Sequence, residues 1–153
     1  MKGFTLLLLG ALGASAASAE TAPAIAPWTL QDQFDKAYSL RAETRVLLIA
    51  RSMSSARLVN RAVEDTPKGF LDQHGVAFVA DIEMMPAPAQ WVFLPAMRSA
   101  SYRILLDRDG TVADRYAGDR DSVQWLELKD GQVTREARFA ELAPLQQALQ
   151  ALP

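Results

Sequence analysis

Two uninterrupted apolar stretches constrain the fold of this chain more than any other feature of its sequence. Val46–Ala50 (VLLIA) and residues 76–82 (VAFVADI) have the length and composition of strands that are covered on both faces. The segment between them carries apolar residues at helical spacing, namely Leu58, Val59, Ala62 and Val63. Strand, helix and strand in this order predict two parallel neighbours at the centre of a sheet, joined by a right-handed crossover.

Alternating segments on either side of this unit predict three hairpins. Residues 28–30 and 36–40 form the first, around the turn at residues 32–35. Residues 102–106 and 111–116 form the second, because Asp109-Gly110 is a typical hairpin turn. Residues 124–128 and 133–139 form the third around Asp130-Gly131. The chain therefore contributes strands from both of its ends to one sheet.

Capping and breaking residues place the helices. Ser54 is predicted to cap the helix of the central unit, and residues 67–73 form a shorter helical piece. Residues 86–94 form another helix, because Pro86 suits a first turn and Pro95 ends the segment. The last helix is indicated by an apolar face made of Leu145, Ala148, Leu149 and Leu152.

Two motifs give this order of elements a family resemblance. Residues 28–40 (WTLQDQFDKAYSL) resemble the N-terminal hairpin of peroxiredoxin-type and thiol–disulfide oxidoreductase-type proteins, and residues 102–118 (YRILLDRDGTVADRYAG) resemble their late hairpin. The chain thus resembles the thioredoxin-like fold superfamily, and within it a cysteine-free exported bacterial subgroup of unknown function. The resemblance implies an α/β fold over residues 28–153: a three-layer α/β/α sandwich with a mixed central sheet, an N-terminal β-hairpin and a C-terminal helix. Some proteins of that subgroup carry a flavin-dehydrogenase label, but no G-x-G-x-x-G follows a strand here, so no cofactor is predicted.

The chain departs from this family in having no cysteine. Active members carry their cysteine between the first core strand and its helix, where this sequence has residues 51–56 (RSMSSA). A serine hydroxyl forms neither a thiolate nor a disulfide, so thiol chemistry is excluded. The family's cis-proline precedes its late hairpin strand, and counting back from Gly110 places Tyr102 there. We therefore expect a redox-inactive accessory or binding protein without catalytic residues. Its candidate ligand crevice is formed by Arg51, Ser52, Met53, Ser54, Ser55, Tyr102 and Arg103.

Methionines suggest an alternative function in copper handling. Met53 follows the first core strand, Met84 and Met85 follow the next, and Met97 precedes the Tyr102 segment. The carboxyl ends of parallel strands form the ligand crevice of open α/β sheets, and thioethers are ligands that suit Cu(I). The competing interpretation is packing, in which these side chains are buried among apolar neighbours such as Trp91 and Phe93.

Four other constellations have an ordinary structural interpretation beside the functional one. Ser54 and Ser55 with His74 suggest a hydrolase, but a loop His at the opposite end of the sheet is expected. Asp107 with Asp109 opens like a calcium loop, although a hairpin turn fits better. Asp81 with Glu83 forms either a catalytic carboxylate pair or a solvated strand end. Five arginines either frame an anion or cover a solvated surface: Arg51, Arg57, Arg61, Arg98 and Arg103. An enzyme with non-thiol chemistry is the third function that remains open.

The first residues predict export. Lys2, the apolar residues 4–12 and the small residues Ala17 and Ala19 are typical of a signal peptide over residues 1–19, followed by a flexible arm at 20–27. The protein is therefore expected to be periplasmic or secreted. A net charge of −2 and a pI near 5.4 give no basic surface for nucleic acid. No membrane span and no cysteine-linked lipid anchor are predicted, so the expected partner is a protein or a small molecule.

Overall fold

The computed structural model describes residues 27–153, so the predicted signal peptide at 1–19 and the predicted arm up to residue 26 lie outside the described residues. The elements are β1 (Thr29–Asp32), β2 (Ala37–Ser39), β3 (Val46–Ala50), α1 (Met53–Val63), α2 (Phe70–Gln73), β4 (Val76–Asp81), α3 (Ala87–Arg98), β5 (Leu105–Asp107), a 3-10 helix (Ala113–Arg115), β6 (Val123–Lys129), β7 (Gln132–Phe139) and α4 (Leu142–Gln150). The strands form one seven-stranded mixed sheet in the order β2-β1-β5-β4-β3-β6-β7.

The predicted parallel pair lies in the middle of this sheet. β3 and β4 are parallel with Val46 opposite Val76, and β4 continues in parallel with β5. Both predicted hairpins at the ends of the sheet, β1–β2 and β6–β7, are antiparallel and confirmed. Leu47 and Leu48 are fully buried, because each points into one of the two covered faces of a central strand.

The two faces of the sheet are covered differently. On the first face, Leu48, Phe78 and Trp125 share one core with apolar residues from all four α-helices. On the second face, Leu47, Ile49 and Val79 pack with Trp28, Val112, Ala113 and Tyr116. The 3-10 helix and the chain around Trp28 cover the second face. All four α-helices pack on the first face, where the candidate site lies.

The predicted hairpin around Asp109-Gly110 is wrong. β5 pairs with β4 and β1, and residues 111–116 contain the 3-10 helix at Ala113–Arg115 instead of a strand. The cause is Asp107, whose buried carboxylate accepts hydrogen bonds from the backbone N–H groups of Val112 and Ala113 at 3.0 and 2.8 Å. These bonds fold the chain back under the sheet directly after β5. The true late hairpin is β6–β7, where Asp130 and Gly131 have positive φ.

Two predicted helix boundaries are also wrong. Ser52, not Ser54, caps α1: its side chain accepts a hydrogen bond from the backbone N–H of Ser55, and Ser55 bonds back to Ser52. α3 does not end before Pro95 but runs through it to Arg98. The helix continues because Leu94 and Met97 pack against the first core, which offsets the one backbone hydrogen bond that proline removes. None of the helices in the described part of the chain has the length and apolar character to cross a membrane.

Candidate functional site

A groove lies between α1 and α3 on the first face of the sheet. It consists of two adjoining cavities, one of about 590 Å³ and one of about 270 Å³. Both cavities are lined by the same five residues, which define the α1–α3 groove: Met53, Ala56, Ala80, Phe93 and Met97. The larger cavity has the size of a typical small-molecule pocket. The groove exists because α1 and α3 both pack on the sheet without closing against each other.

The serines of the candidate crevice lie at the smaller cavity and hold the start of α1. The hydroxyl of Ser52 accepts from the N–H of Ser55 at 3.2 Å, and the hydroxyl of Ser55 donates to the carbonyl of Ser52 at 3.1 Å. Ser54 is exposed and lies 3.0 Å from Ser52, oxygen to oxygen. These hydroxyls are therefore used as caps. His74 does not accompany them, because it lies at the other end of the parallel strands, bonded to the carbonyl of Pro153 at 2.9 Å.

Arg51 stands at the same strand end but extends to the second face. Its guanidinium donates hydrogen bonds from Nη2 to the carbonyls of Ala113 and Tyr116. Burial lowers the pKa of this guanidinium, although Asp81 acts in the opposite direction. A Cβ on Gly118 would lie 2.6 Å from Cζ of Arg51, so only glycine leaves room for the side chain. Arg51 thus holds the 3-10 helix beneath the sheet.

Tyr102 closes the far end of the groove. Its hydroxyl donates to Oδ1 of Asn60 on α1 at 2.8 Å, and its ring lies 6.2 Å from that of Phe78. Burial, with a smaller contribution from Glu64, raises the pKa of Tyr102 to about 12. The backbone carbonyl of Tyr102 accepts a hydrogen bond from Nε2 of the buried Gln33 at 2.8 Å. Tyr102 therefore remains a neutral donor that links the chain before β5 to α1.

The structure brings six of the seven candidate residues together at the groove and separates Arg103. Arg51, Ser52, Met53 and Tyr102 line its cavities, and Ser54 and Ser55 adjoin them through Ser52. Arg51 lines the smaller cavity, although its Nη2 donates to carbonyls on the second face. Arg103 lies beside α2, where it forms ion pairs with Asp72 at 3.2 Å and Asp32 at 3.8 Å.

The five arginines likewise do not frame one site. Arg57 lines the larger cavity and Arg61 is exposed on α1, whereas Arg98 bonds the carbonyl of Gln33 at 2.9 Å. Arg51 lines the smaller cavity but donates its Nη2 hydrogen bonds to carbonyls on the second face, and Arg103 forms its ion pairs beside α2.

The position assigned to Tyr102 by counting from Gly110 rests on the hairpin that does not form. The segment that enters the first strand of the true late hairpin is residues 117–122, and it lies beside Ser52, whose hydroxyl donates to the carbonyl of Arg120 at 2.5 Å. Within residues 27–153 every peptide bond is trans.

All four methionines of the described residues line the smaller cavity. Met84 is 72% exposed, and its sulfur lies 3.2 Å from Nη1 of Arg120. Trp91, which was expected to cover these side chains, is instead 78% exposed on the outer side of α3. Across residues 27–153 no group of three or more His, Cys, Asp or Glu residues is arranged to hold a metal. Thioether sulfur is therefore the soft donor that this cavity offers.

The remaining carboxylate candidates have structural roles. Oδ1 of Asp81 accepts a hydrogen bond from the backbone N–H of Glu83 at 3.0 Å, which stabilises the turn after β4. The buried Asp107 binds backbone amides, and burial raises the pKa of its carboxyl. Asn60 and Ala56 are among the groove residues that were not selected from the sequence. A small residue and an amide on the α1 face nearest α3 are the signals that could have identified them.

Solved structures of thioredoxin-like proteins are similar to this chain. The pneumococcal exposed lipoprotein thioredoxin from Streptococcus pneumoniae matches with a TM-score of 0.56 and 17% identity, over 83% of this chain and 100% of that chain. Peroxidoxin BcpB from Mycobacterium tuberculosis matches with a TM-score of 0.55 and 17% identity, over 87% and 97%. StoA from Bacillus subtilis matches with a TM-score of 0.55 and 13% identity, over 84% and 98%. The predicted thioredoxin-like fold is confirmed. No family model matches the chain, and no curated protein matches its sequence.

Proposed function

We propose that this chain is a redox-inactive thioredoxin-like accessory protein of the exported compartment, and that it binds a protein segment or small molecule in the α1–α3 groove. One observation carries the proposal: the position of the family's cysteine, occupied by Ser52–Ser55, opens onto a groove large enough for a ligand. The site has a cavity but no thiol. We assign no catalytic residue to it.

The lining of the groove indicates the chemistry of the ligand. Most of its lining is apolar, with Phe78, Phe93 and Met97 among the side chains, and the polar Asn60 and Glu64 also line it. Arg57 lines the same cavity and has no hydrogen bond or ion pair within residues 27–153. An apolar ligand with an anionic group would bury its apolar part on the floor and leave its charge near Arg57.

A fluorescent apolar anion tests the groove. We expect 8-anilinonaphthalene-1-sulfonate to bind the mature protein at one site, and Ala56→Phe to abolish that site, because Ala56 lines both cavities. Ala151→Phe, at the exposed end of α4, is the matched control and should bind like wild type. Circular dichroism of each variant separates site loss from unfolding, since loosely packed states also bind this dye. Equal binding by wild type and Ala56→Phe would contradict the proposal.

The same two variants distinguish a partner that binds in the groove from one that binds elsewhere. Proteins from the exported fraction are pulled down in parallel with wild type, Ala56→Phe and Ala151→Phe. A groove partner is retained by wild type and by Ala151→Phe and lost with Ala56→Phe, whereas a protein retained equally by all three uses another surface.

Absence of thiol turnover is the second component of the proposal. The mature protein is expected neither to reduce insulin disulfides nor to consume peroxide with a thiol reductant, because a chain without cysteine forms no mixed disulfide. Turnover that persists through purification and scales with protein concentration would refute redox inactivity.

Export is supported by the sequence of residues 1–19. Processing after Ala19 predicts a mature chain that begins at Glu20. Intact-mass measurement of protein from the envelope or secreted fraction checks this, and full-length chain confined to the cytoplasm would contradict it.

Copper binding is the second candidate function, favoured by the convergence of four methionines on one cavity. A thioether site binds Cu(I) in preference to hard cations, but Arg120 must first leave the sulfur of Met84. Anaerobic Cu(I) titration of wild type is compared with the Met53→Leu, Met85→Leu double variant, in which leucine keeps the volume and removes the sulfur. Tight stoichiometric binding lost in the variant would establish this function; equal weak binding would mean that the methionines only pack.

A further inference from the structure

The outer face of α3 is apolar and uncovered. Residues 88, 91, 92 and 95 recur at helical spacing and are all exposed: Pro88, Trp91, Val92 and Pro95. Trp91 is 78% and Val92 is 70% exposed, and the helix has no fully buried residue. This outer α3 face is distinct from the α1–α3 groove, since none of these four residues lines either cavity.

Other exposed apolar side chains surround the same helix. Met84, 72% exposed, precedes α3. Phe34, 51% exposed, follows Gln33, whose carbonyl accepts a hydrogen bond from Arg98 at the end of α3. Tryptophan, phenylalanine, methionine and arginine are the residue types enriched in protein interfaces. Exposed apolar patches of this kind mark binding sites for another protein or a membrane.

The charges at the two ends of the face are opposite. Glu83 is exposed four residues before α3 begins, and Arg98, whose side chain is 49% exposed, is its last residue. Arg98 lies 3.7 Å from the exposed carboxylate of Asp35, an ion pair that solvent weakens. The face therefore combines an apolar centre, an acidic end at Glu83 and an exposed guanidinium at the other end.

We infer that the outer α3 face binds a second copy of this chain as a two-fold symmetric dimer with antiparallel α3 helices. The two-fold axis would pass near Trp91 and Val92, at the centre of the stripe. An antiparallel arrangement places the Arg98 end of each helix beside the Glu83 end of the other, and the helix dipoles also oppose each other. A surface with one acidic and one basic end is complementary to itself in this orientation.

Self-association satisfies these observations better than a lipid surface does. Helices that lie on anionic membranes have a polar face rich in Lys and Arg, whereas here Glu83 and Asp35 flank the apolar stripe. One helix face, about 18 Å long for the 12 residues of α3, is smaller than a standard interface. The dimer is therefore weak, and its formation should depend on concentration in the micromolar range.

Sedimentation velocity across the micromolar range tests this inference on the mature chain. Wild type is expected to shift from monomer to dimer, and the Trp91→Ser, Val92→Ser double variant to remain monomeric. Val133→Ser is the matched control, because Val133 is an exposed apolar residue on β7, far in sequence from α3, and the variant should dimerise like wild type. A wild-type chain that stays monomeric, or a dimer that survives the double substitution, would overturn the inference.

Charge reversal tests the antiparallel arrangement. Glu83→Arg and Arg98→Glu alone should each weaken the dimer by about tenfold or more, since two like-charged contacts result. The two changes together should restore it, because the complementary ends are exchanged. Failure of the double reversal to restore dimerisation would exclude this geometry.

A cysteine variant gives a readout that does not depend on affinity. Because the chain has no cysteine, Val92→Cys introduces one thiol near the axis, where two copies can form a symmetric disulfide. Mild oxidation should yield a covalent dimer with Val92→Cys and not with Val133→Cys. Equal cross-linking of both would contradict the inference. So would a monomer that sediments with phosphatidylglycerol vesicles and loses this binding in the Trp91→Ser, Val92→Ser variant, since the face would then bind lipid.

Discussion

The hydroxyl of Ser52 donates a hydrogen bond to the backbone carbonyl of Arg120, and the two oxygens are 2.5 Å apart. This bond joins the first turn of α1 to the segment that leads into β6. Asp119 holds the same segment, because its carboxylate accepts from the N–H groups of Asp121 and Ser122 at 2.9 Å each. Ser52 thus stabilises both the start of a helix and a loop.

Replacing Ser52 should show this double role. Ser52→Ala removes the N-cap and the bond to Arg120, so the free energy of unfolding should fall by about 0.5–2 kcal/mol. Ser54→Ala is the control: its exposed side chain caps nothing, and the change should stay within about 0.5 kcal/mol. Urea unfolding followed by circular dichroism measures both, and equal effects of the two substitutions would contradict the capping assignment.

Gly118 should tolerate no side chain. In Gly118→Ala the new Cβ would overlap the guanidinium of Arg51 and lie 2.8 Å from Oε1 of Gln124, both of which are buried. Overpacking of this kind lowers the free energy of unfolding by about 1–3 kcal/mol. Gly131→Ala, where no atom lies within 4 Å, should lose about 1–2 kcal/mol through its positive φ alone. Thermal unfolding measures both, and a loss at Gly118 of less than about 0.5 kcal/mol would be inconsistent with this packing.

Leu48 should be among the most sensitive core positions. It is fully buried on β3, opposite Phe78 of β4 and Trp125 of β6. Leu48→Ala therefore leaves a cavity in the first core and should lower the free energy of unfolding by about 2–5 kcal/mol. Val133→Ala, at an exposed position, should change it by less than about 0.5 kcal/mol. A loss below 1 kcal/mol at Leu48 in denaturant titration would argue against its central position.

The central sheet was predictable because its signal is local. Two apolar runs with a helical stripe between them leave few alternatives, so β3, α1 and β4 follow directly from the sequence. The hairpin predicted at Asp109-Gly110 does not form, because the buried carboxylate of Asp107 accepts hydrogen bonds from two backbone amides and sets the path of the chain after β5. The sequence of the dipeptide does not indicate these bonds. A turn motif specifies a local bend, whereas pairing depends on what lies beside the strand.

The candidate site was predictable at one end only. The family resemblance located Ser52 and Met53 at the start of α1, and the chain direction of parallel strands brought Met84 and Met85 to the same edge. The exposed outer face of α3 was not predictable, because an apolar helix is normally expected to be buried, and Trp91 was expected to pack around the methionines. The orientation of α3 depends on Leu94 and Met97 reaching the first core past Pro95, which sequence spacing alone does not indicate.

Tyr102 should make the groove sensitive to alkaline pH. Burial raises the pKa of its phenol to about 12 from the ordinary value of 10.0, so the folded state favours the neutral form. The stabilisation that this group contributes is fully present below pH 10 and is lost as the pH rises toward 12. Tyr102→Phe keeps the ring and removes both the titration and the bond to Asn60, which should lower the free energy of unfolding at neutral pH by about 0.5–1.5 kcal/mol.

Tyrosinate absorbance in the near ultraviolet measures this titration directly. Wild type should show a late absorbance step near pH 12. Because burial also raises the pKa of Tyr116, Tyr102→Phe should reduce the amplitude of the late titration without removing it, and Tyr38→Phe should leave it unchanged. The unfolding free energy of Tyr102→Phe should also fall less steeply between pH 10 and 12 than that of wild type, because this variant releases one proton fewer on unfolding. If the late step kept its full amplitude in Tyr102→Phe and the pH dependence of stability were unchanged, Tyr102 would not be the buried donor that closes the groove.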